Sequence, residues 1–280
     1  VVMKIDVHTS HLSFVAGNND DGPAVSGPAT ETSIGWGPKG VAVDGTGRVL
    51  IADHVNGLVE AVTTGGSLSI VAGHGNPEIP REGIALNSPM EYGAGIAVKP
   101  DGTVFTATAG ISGTVTSIDP DGHLSVIAGT PPYEHLSPPG PALQTSINPR
   151  SMVRASDGTL YVANDTCVFT LSAGFLNVIA GVCDRAGAPT VGPATESLLG
   201  CCQLRLAVAP DGTLYIEDAG NAAVYKVSTS GHLSIVAGGL GSAGKPTPGP
   251  ATESKLEEAA GGLALDADGN LYIGDALRVL

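Results

Sequence analysis

The chain has 280 residues, with 13 Lys and Arg against 27 Asp and Glu and a formal net charge of -14. Nucleic acid and anionic membrane surfaces call for basic patches, so neither is an expected partner, and no apolar run reaches the roughly 18 residues of a membrane-spanning helix. Hydrophobic residues make up 42% but aromatic ones only 4%, so any core must pack through Val, Ile, Leu and Ala.

From the N-terminus, Val2-Met3-Lys4-Ile5 and His11-Leu12-Ser13-Phe14-Val15-Ala16-Gly17 read as two short strands. The Val/Ile-Ala-Gly ending at Gly17 returns at Gly73, Gly129, Gly181 and Gly238, at intervals of 56, 56, 52 and 57 residues. That is an internal repeat, and it sets the architecture. A turn glycine keeps the same beat at Gly47, Gly102, Gly158, Gly212 and Gly269. The third marker is Gly-Pro-Ala-Thr-Glu at 27–31, 192–196 and 249–253, degraded to Gly-Pro-Ala-Leu-Gln at 140–144 and Gly-Ile-Ala-Leu-Asn at 83–87.

Within one repeat, residues 204–209, 213–218, 223–228 and 232–237 are runs of β-formers separated by turn residues. They predict a four-stranded antiparallel meander, strands a to d. Such a sheet is apolar on both faces and must stack on its neighbours, so the expected fold is an all-β propeller of five four-stranded blades of about 55 residues. The blades fall near 40–73, 95–129, 150–181, 204–238, and 262–280 with 1–17, in a single domain covering 1–280. Residues 262–280 supply strands a and b and residues 1–17 strands c and d, so the termini are expected to close the last blade between them; six blades are the alternative. Proline and Thr-Glu in the Gly-Pro-Ala-Thr-Glu link predict a short helical turn.

Gly40-Val-Ala-Val-Asp44 with Val49-Leu-Ile-Ala-Asp53, and Gly262-Leu-Ala-Leu-Asp266 with Asn270-Leu-Tyr-Ile-Gly-Asp275, resemble the NHL-repeat β-propeller family. The added Val-Ala-Gly and Gly-Pro-Ala-Thr-Glu segments are similar to the long variant of bacterial surface and teneurin-type propellers. This resemblance runs through all 280 residues and implies a fold, since propellers carry many unrelated activities. NHL-like lyases hold zinc with histidines near the channel, whereas here only His54 and His74 approach the corresponding face.

Cys167, Cys183, Cys201 and Cys202 lie close together in sequence, without a C-x-x-C pair. Disulfides are expected rather than zinc, with Cys183 joined to Cys201 or Cys202, or, as the less usual alternative, Cys201 joined to its neighbour Cys202; either implies an oxidising compartment. Strand-b ends read Asp53, Thr108, Asn164, Asp218 and Asp275 around the ring, with His54 beside the first. Each acid either caps its own b–c turn or faces a ligand or channel cation. Arg150 and Arg205, near the start of strand a where other blades use small residues, either grip an anion or pair with nearby acids. Trp36, His74, Glu91, Tyr92, Tyr133 and His135 sit in the variable d–a connections, where binding residues collect.

The expected role is a binding module outside the cell, in the periplasm or at a bacterial cell surface, recognising a protein or small molecule without a resident cofactor. Asp53, His54, Asn164, Asp218, Asp275, Arg150 and Arg205 are the candidate ligand contacts. The chain is expected to be a monomer or one domain of a larger protein. A metal-assisted lyase or hydrolase at the channel mouth and a structural repeat in a larger surface protein are the alternatives.

Overall fold

The computed structural model describes residues 1–280 except 7, 21, 23, 36, 111, 112, 131–137, 202, 203, 239–242, 258, 259, 276, 277 and 280; of residues 260, 275, 278 and 279 it describes the backbone. The chain divides into two compact units, Val1–Tyr133 and Glu134–Leu280.

In the first unit the strands are β1 (Val2–Asp6), β2 (His11–Ala16), β3 (Gly27–Pro28), β4 (Gly40–Val43), β5 (Val49–Asp53), β6 (Leu58–Val62), β7 (Ser67–Ala72), β8 (Gly83–Ile84), β9 (Gly93–Val98), β10 (Val104–Thr108), β11 (Thr114–Ile118) and β12 (His123–Ala128). They form a β1-β2 pair and two five-stranded sheets, ordered β3-β7-β6-β5-β4 and β8-β12-β11-β10-β9. The second unit holds β13 (Gly140–Pro141), β14 (Ser151–Arg154), β15 (Leu160–Ala163), β16 (Cys167–Ser172), β17 (Phe175–Gly181), β18 (Gly192–Pro193), β19 (Leu204–Val208), β20 (Leu214–Asp218), β21 (Ala223–Val227), β22 (His232–Ala237), β23 (Ala260–Leu265), β24 (Leu271–Asp275) and β25 (Arg278–Val279). Its sheets run β13-β17-β16-β15-β14, β18-β22-β21-β20-β19 and β23-β24-β25.

Four complete sheets therefore carry the predicted meander, and each gains a two-residue outer strand that the sequence reading missed. Gly27-Pro28 pairs with Leu68 and Ser67, and Gly192-Pro193 with Leu233 and His232. The alanine that follows is buried at 29, 85, 142 and 194, and at 29, 85 and 194 it bonds in both directions. Ala29, Ala85, Ala142 and Ala194 donate N–H at 2.8 Å to the c–d turn glycines Gly66, Gly122, Gly174 and Gly231. Ala29, Ala85, Ala194 and Ala251 accept from Gly17, Gly73, Gly181 and Gly238 of the repeat before. Three residues further on, the hydroxyls of Thr32, Ser88, Ser197 and Ser254 accept the N–H of the residue seven positions earlier. The expected helical turn exists as short 3-10 turns at Ala85–Asn87 and Ala142–Gln144 only.

Strand alternation buries one large apolar residue per position. Leu50, Ile96, Val104, Ile118 and Leu124 share a core in the first unit, and Val168, Leu204, Leu214, Ile216 and Leu233 one in the second. The β1-β2 hairpin reproduces the c–d register of the complete sheets, including a bulge after the first pair. Its Ile5 and Leu12 are nevertheless 64% and 55% exposed, where the matching Val62 and Leu68 are 3% and 1% exposed.

β1 pairs with β2, and β24 pairs with β23 and, at Gly274 and Asp275, with β25. One expectation is corrected: Cys183 bonds to Cys167 with Cα atoms 4.9 Å apart, not to Cys201 or Cys202. Cys167 opens β16 opposite Gly181, the last residue of β17, so Cys183 arrives two residues past its partner's register position. Cys201 is also disulfide-bonded, and Cys202 lies outside the described residues.

The repeating Gly of Val/Ile-Ala-Gly has a steric cause. Gly129 has φ of +96°, and a Cβ there would strike the carbonyl oxygen of Gly113; Gly73, Gly181 and Gly238 make the same approach to Gly57, Thr166 and Ala222. Gly129→Ala is expected to cost about 2 kcal/mol or more, read as a lower urea midpoint. Cys167→Ala should remove about 3 kcal/mol, the loop-closure value for a crosslink of this span, and non-reduced peptide mapping should recover a Cys167–Cys183 crosslinked pair.

Candidate functional site

The strand-b ends form one recurrent arrangement. Asp53, 1% exposed, accepts N–H from Gly35 at 2.7 Å, from Asn56 backbone at 3.1 Å and from Asn56 Nδ2 at 2.9 Å. Asp218, fully buried, repeats it with Gly200 at 2.7 Å, Asn221 backbone at 3.1 Å and Asn221 Nδ2 at 2.9 Å. The Asn side chains reach on to the carbonyls of Gly22 and Gly187. Each acid thus ties its b–c turn to the preceding d–a connection. Glycine stands at 35 and 200 because a Cβ there would collide with the carboxylate oxygen.

The third sheet runs the same device with a neutral amide, as Asn164 Oδ1 accepts the N–H of Asn148 at 3.1 Å. In the second sheet Thr108 replaces the acid and bonds Thr114 Oγ1 at 2.9 Å. A carboxylate comes instead from Glu91, 3% exposed, whose Oε1 would lie 2.7 Å from a Cβ at Gly110. The backbone of Asp275 ends β24, and its side chain is outside the described residues, as are Trp36, Tyr133 and His135.

The two arginines are also engaged. Arg150 Nε meets Asp165 Oδ1 at 2.7 Å, and Asn148 Nδ2 holds the other carboxylate oxygen at 3.1 Å. Arg205 Nη1 donates to the carbonyls of Arg150 at 3.1 Å and Leu204 at 3.4 Å. Arg205 faces Glu217 in register; burial and the Arg150 charge lower its pKa, and Glu217 opposes them. Glu217 Oε2 in turn accepts from Gly262 N–H at 3.1 Å. Arg150, Arg205, Asp165 and Glu217 make a compensated network at the strand-a openings of the second unit.

His54 differs from its neighbours. Nδ1 contacts the Gly93 carbonyl at 2.9 Å, which fixes the proton on that nitrogen and leaves Nε2 as an acceptor. Its ring sits 5.1 Å from that of Tyr92, which is 43% exposed.

No protein-family profile and no curated protein matches the sequence. Solved structures do match by shape. An auxiliary nutrient binding protein of Bacteroides ovatus aligns with a TM-score of 0.64 at 16% identity, over 90% of this chain and 61% of that one. The chain is β-propeller-like. Virginiamycin B lyase of Staphylococcus aureus aligns at 0.53 and 15% identity over 85% of this chain and 63% of the enzyme. The extracellular domain of a proposed one-component system of B. thetaiotaomicron aligns at 0.55 and 10% identity over 96% and 29%. At these identities the likeness shows the propeller-like fold alone.

The buried acid Glu60 escaped the sequence reading, although its place in the apolar run Leu58-Val59-Glu60-Ala61-Val62 is a legible signal. Replacing Asp218 distinguishes capping from ligand duty. Asp218→Ala leaves three N–H groups unmet and should cost about 3 kcal/mol or more, while Asp218→Asn, copying Asn164, should cost less than half as much in urea denaturation.

Proposed function

We propose that the chain is a binding module that works outside the cytoplasm, built on NHL-type repeats, and that it recognises a small molecule or peptide through His54 and Tyr92. The supporting observation is that His54 and Tyr92 present an accepting nitrogen and an open ring, while Asp53, Asn164, Asp218 and Arg150 spend their polar atoms on the protein itself. A ligand suited to this pair has a flat apolar face and a hydrogen-bond donor at its edge. The Cys167–Cys183 disulfide supports an oxidising compartment. Propeller-like relatives that bind nutrients or form an extracellular domain agree with a recognition role.

The metal-assisted lyase or hydrolase reading asks for grouped ligands, and among the described residues no three His, Cys, Asp or Glu side chains are gathered to hold a metal ion. Arg205 and Arg150 remain a secondary contact for an anion only if ligand displaces Asp165 from its arginine.

A thermal-shift screen of sugars, peptides and organic acids, followed by calorimetry on any hit, tests the proposal. Tyr92→Ala and His54→Ala should each weaken the hit about tenfold or more, the loss of one hydrogen bond or one stacking contact, with the melting temperature nearly unchanged. Unchanged affinity in both variants would sink the assignment, as would contacts that map to the turns at Gly47 and Gly102.

A further inference from the structure

Glu60 lies at the centre of β6, opposite Ile51 of β5 and Ile70 of β7. It is fully buried, and neither carboxyl oxygen meets a hydrogen-bond donor. By strand alternation it shares its face with Ile51, Val62 and Leu68, which pack with Ala16 of β2 and with Ala29 and Ile34 of the connection before β4. Those elements bring apolar side chains, and the acid on the same face is Asp53, which stands two residues beyond Ile51 in β5 and pairs with Leu58, two residues before Glu60 in β6.

The rest of the repeat shows what belongs at this place. The residues in register are Thr116, Phe169 and Tyr225, facing Thr106, Val162 and Ile216. Thr116 bonds Thr106 at 2.7 Å, and the buried Tyr225 hydroxyl lies beside Asp218. Each is neutral. Asp53 already receives three N–H donors, so a charge on the neighbouring Glu60 would have neither partner nor solvent.

We propose that Glu60 and Asp53 form a proton-held lock: with its proton, Glu60 donates to the Asp53 carboxylate and keeps the turn at 54–57 tied to Gly35, and loss of that proton to solvent drives the two carboxylates apart and loosens the turn. The device stands independently of the ligand proposed for His54. Burial first, then the Asp53 charge, raise the Glu60 pKa from 4.5 to about 8. Because the folded value is raised, the stability contributed by the proton is complete below about pH 4.5, shrinks as pH rises and is gone above about pH 8.

Infrared difference spectra between the unmodified chain and Glu60→Gln read the proton directly. A protonated carboxyl band should be present near pH 6, titrate away around pH 8 and be missing from the variant; Asp53→Asn should move its midpoint to lower pH. The unfolding constant of the unmodified chain relative to Glu60→Gln should rise by about tenfold per pH unit through the window and level off above it. If Glu60→Gln does not fold, Glu60→Thr, which copies Thr116, replaces it in both measurements. Parallel pH curves for the two chains, or no protonated carboxyl near pH 6, overturn the lock.

Discussion

The constraint on which everything else rests is the buried peptide group of Ala29, Ala85 and Ala194. Each of these alanines, two residues after the glycine that opens the link, accepts a hydrogen bond from the glycine closing the previous repeat and donates one to the c–d turn glycine of its own sheet. Any side chain larger than a methyl would disturb packing at a position with essentially no exposure. Sheet interiors can then vary widely, from the Thr106–Thr116 pair to Phe169 to Tyr225, because the joint between repeats does not depend on them. The markers that reveal the repeat in the sequence are the two halves of this joint.

The meander was legible because strand period, turn glycines and the spacing of Val/Ile-Ala-Gly all point the same way. The outer two-residue strand was not, since Gly-Pro reads as a break and its pairing partner lies about 40 residues away. The hydroxyls of Thr32, Ser88, Ser197 and Ser254 could have been found, as they fall at a fixed distance after the buried alanine. Cysteine connectivity was beyond reach because the bulge and register that bring Cys167 to Cys183 are set by three-dimensional pairing.

For the candidate site, the sequence singled out the strand-b acids and left two roles open, capping or ligand contact, and the hydrogen bonds of Asp53 and Asp218 are those of caps. Asp53 and Asp218 point at backbone N–H groups because glycine at 35 and 200 lets the chain approach their oxygens closely. The arginines were open to the same two roles, and in the structure Arg150 pairs with Asp165 while Arg205 donates to backbone carbonyls. His54 was singled out for having no histidine counterpart in other repeats. Its pairing with Tyr92 depends on the fold of the following d–a connection, which no local pattern reveals.

The two-residue outer strands bear on how such a chain stays dispersed. A propeller of near-identical sheets presents several similar rims, each a row of amides on which another molecule could build a continuing sheet. Here the rim strand of each complete sheet meets a partner only two residues long, in three cases ending in a proline with no N–H to offer. The repeat thereby carries its own stop against fibre growth, installed at the seam where one sheet hands the chain to the next.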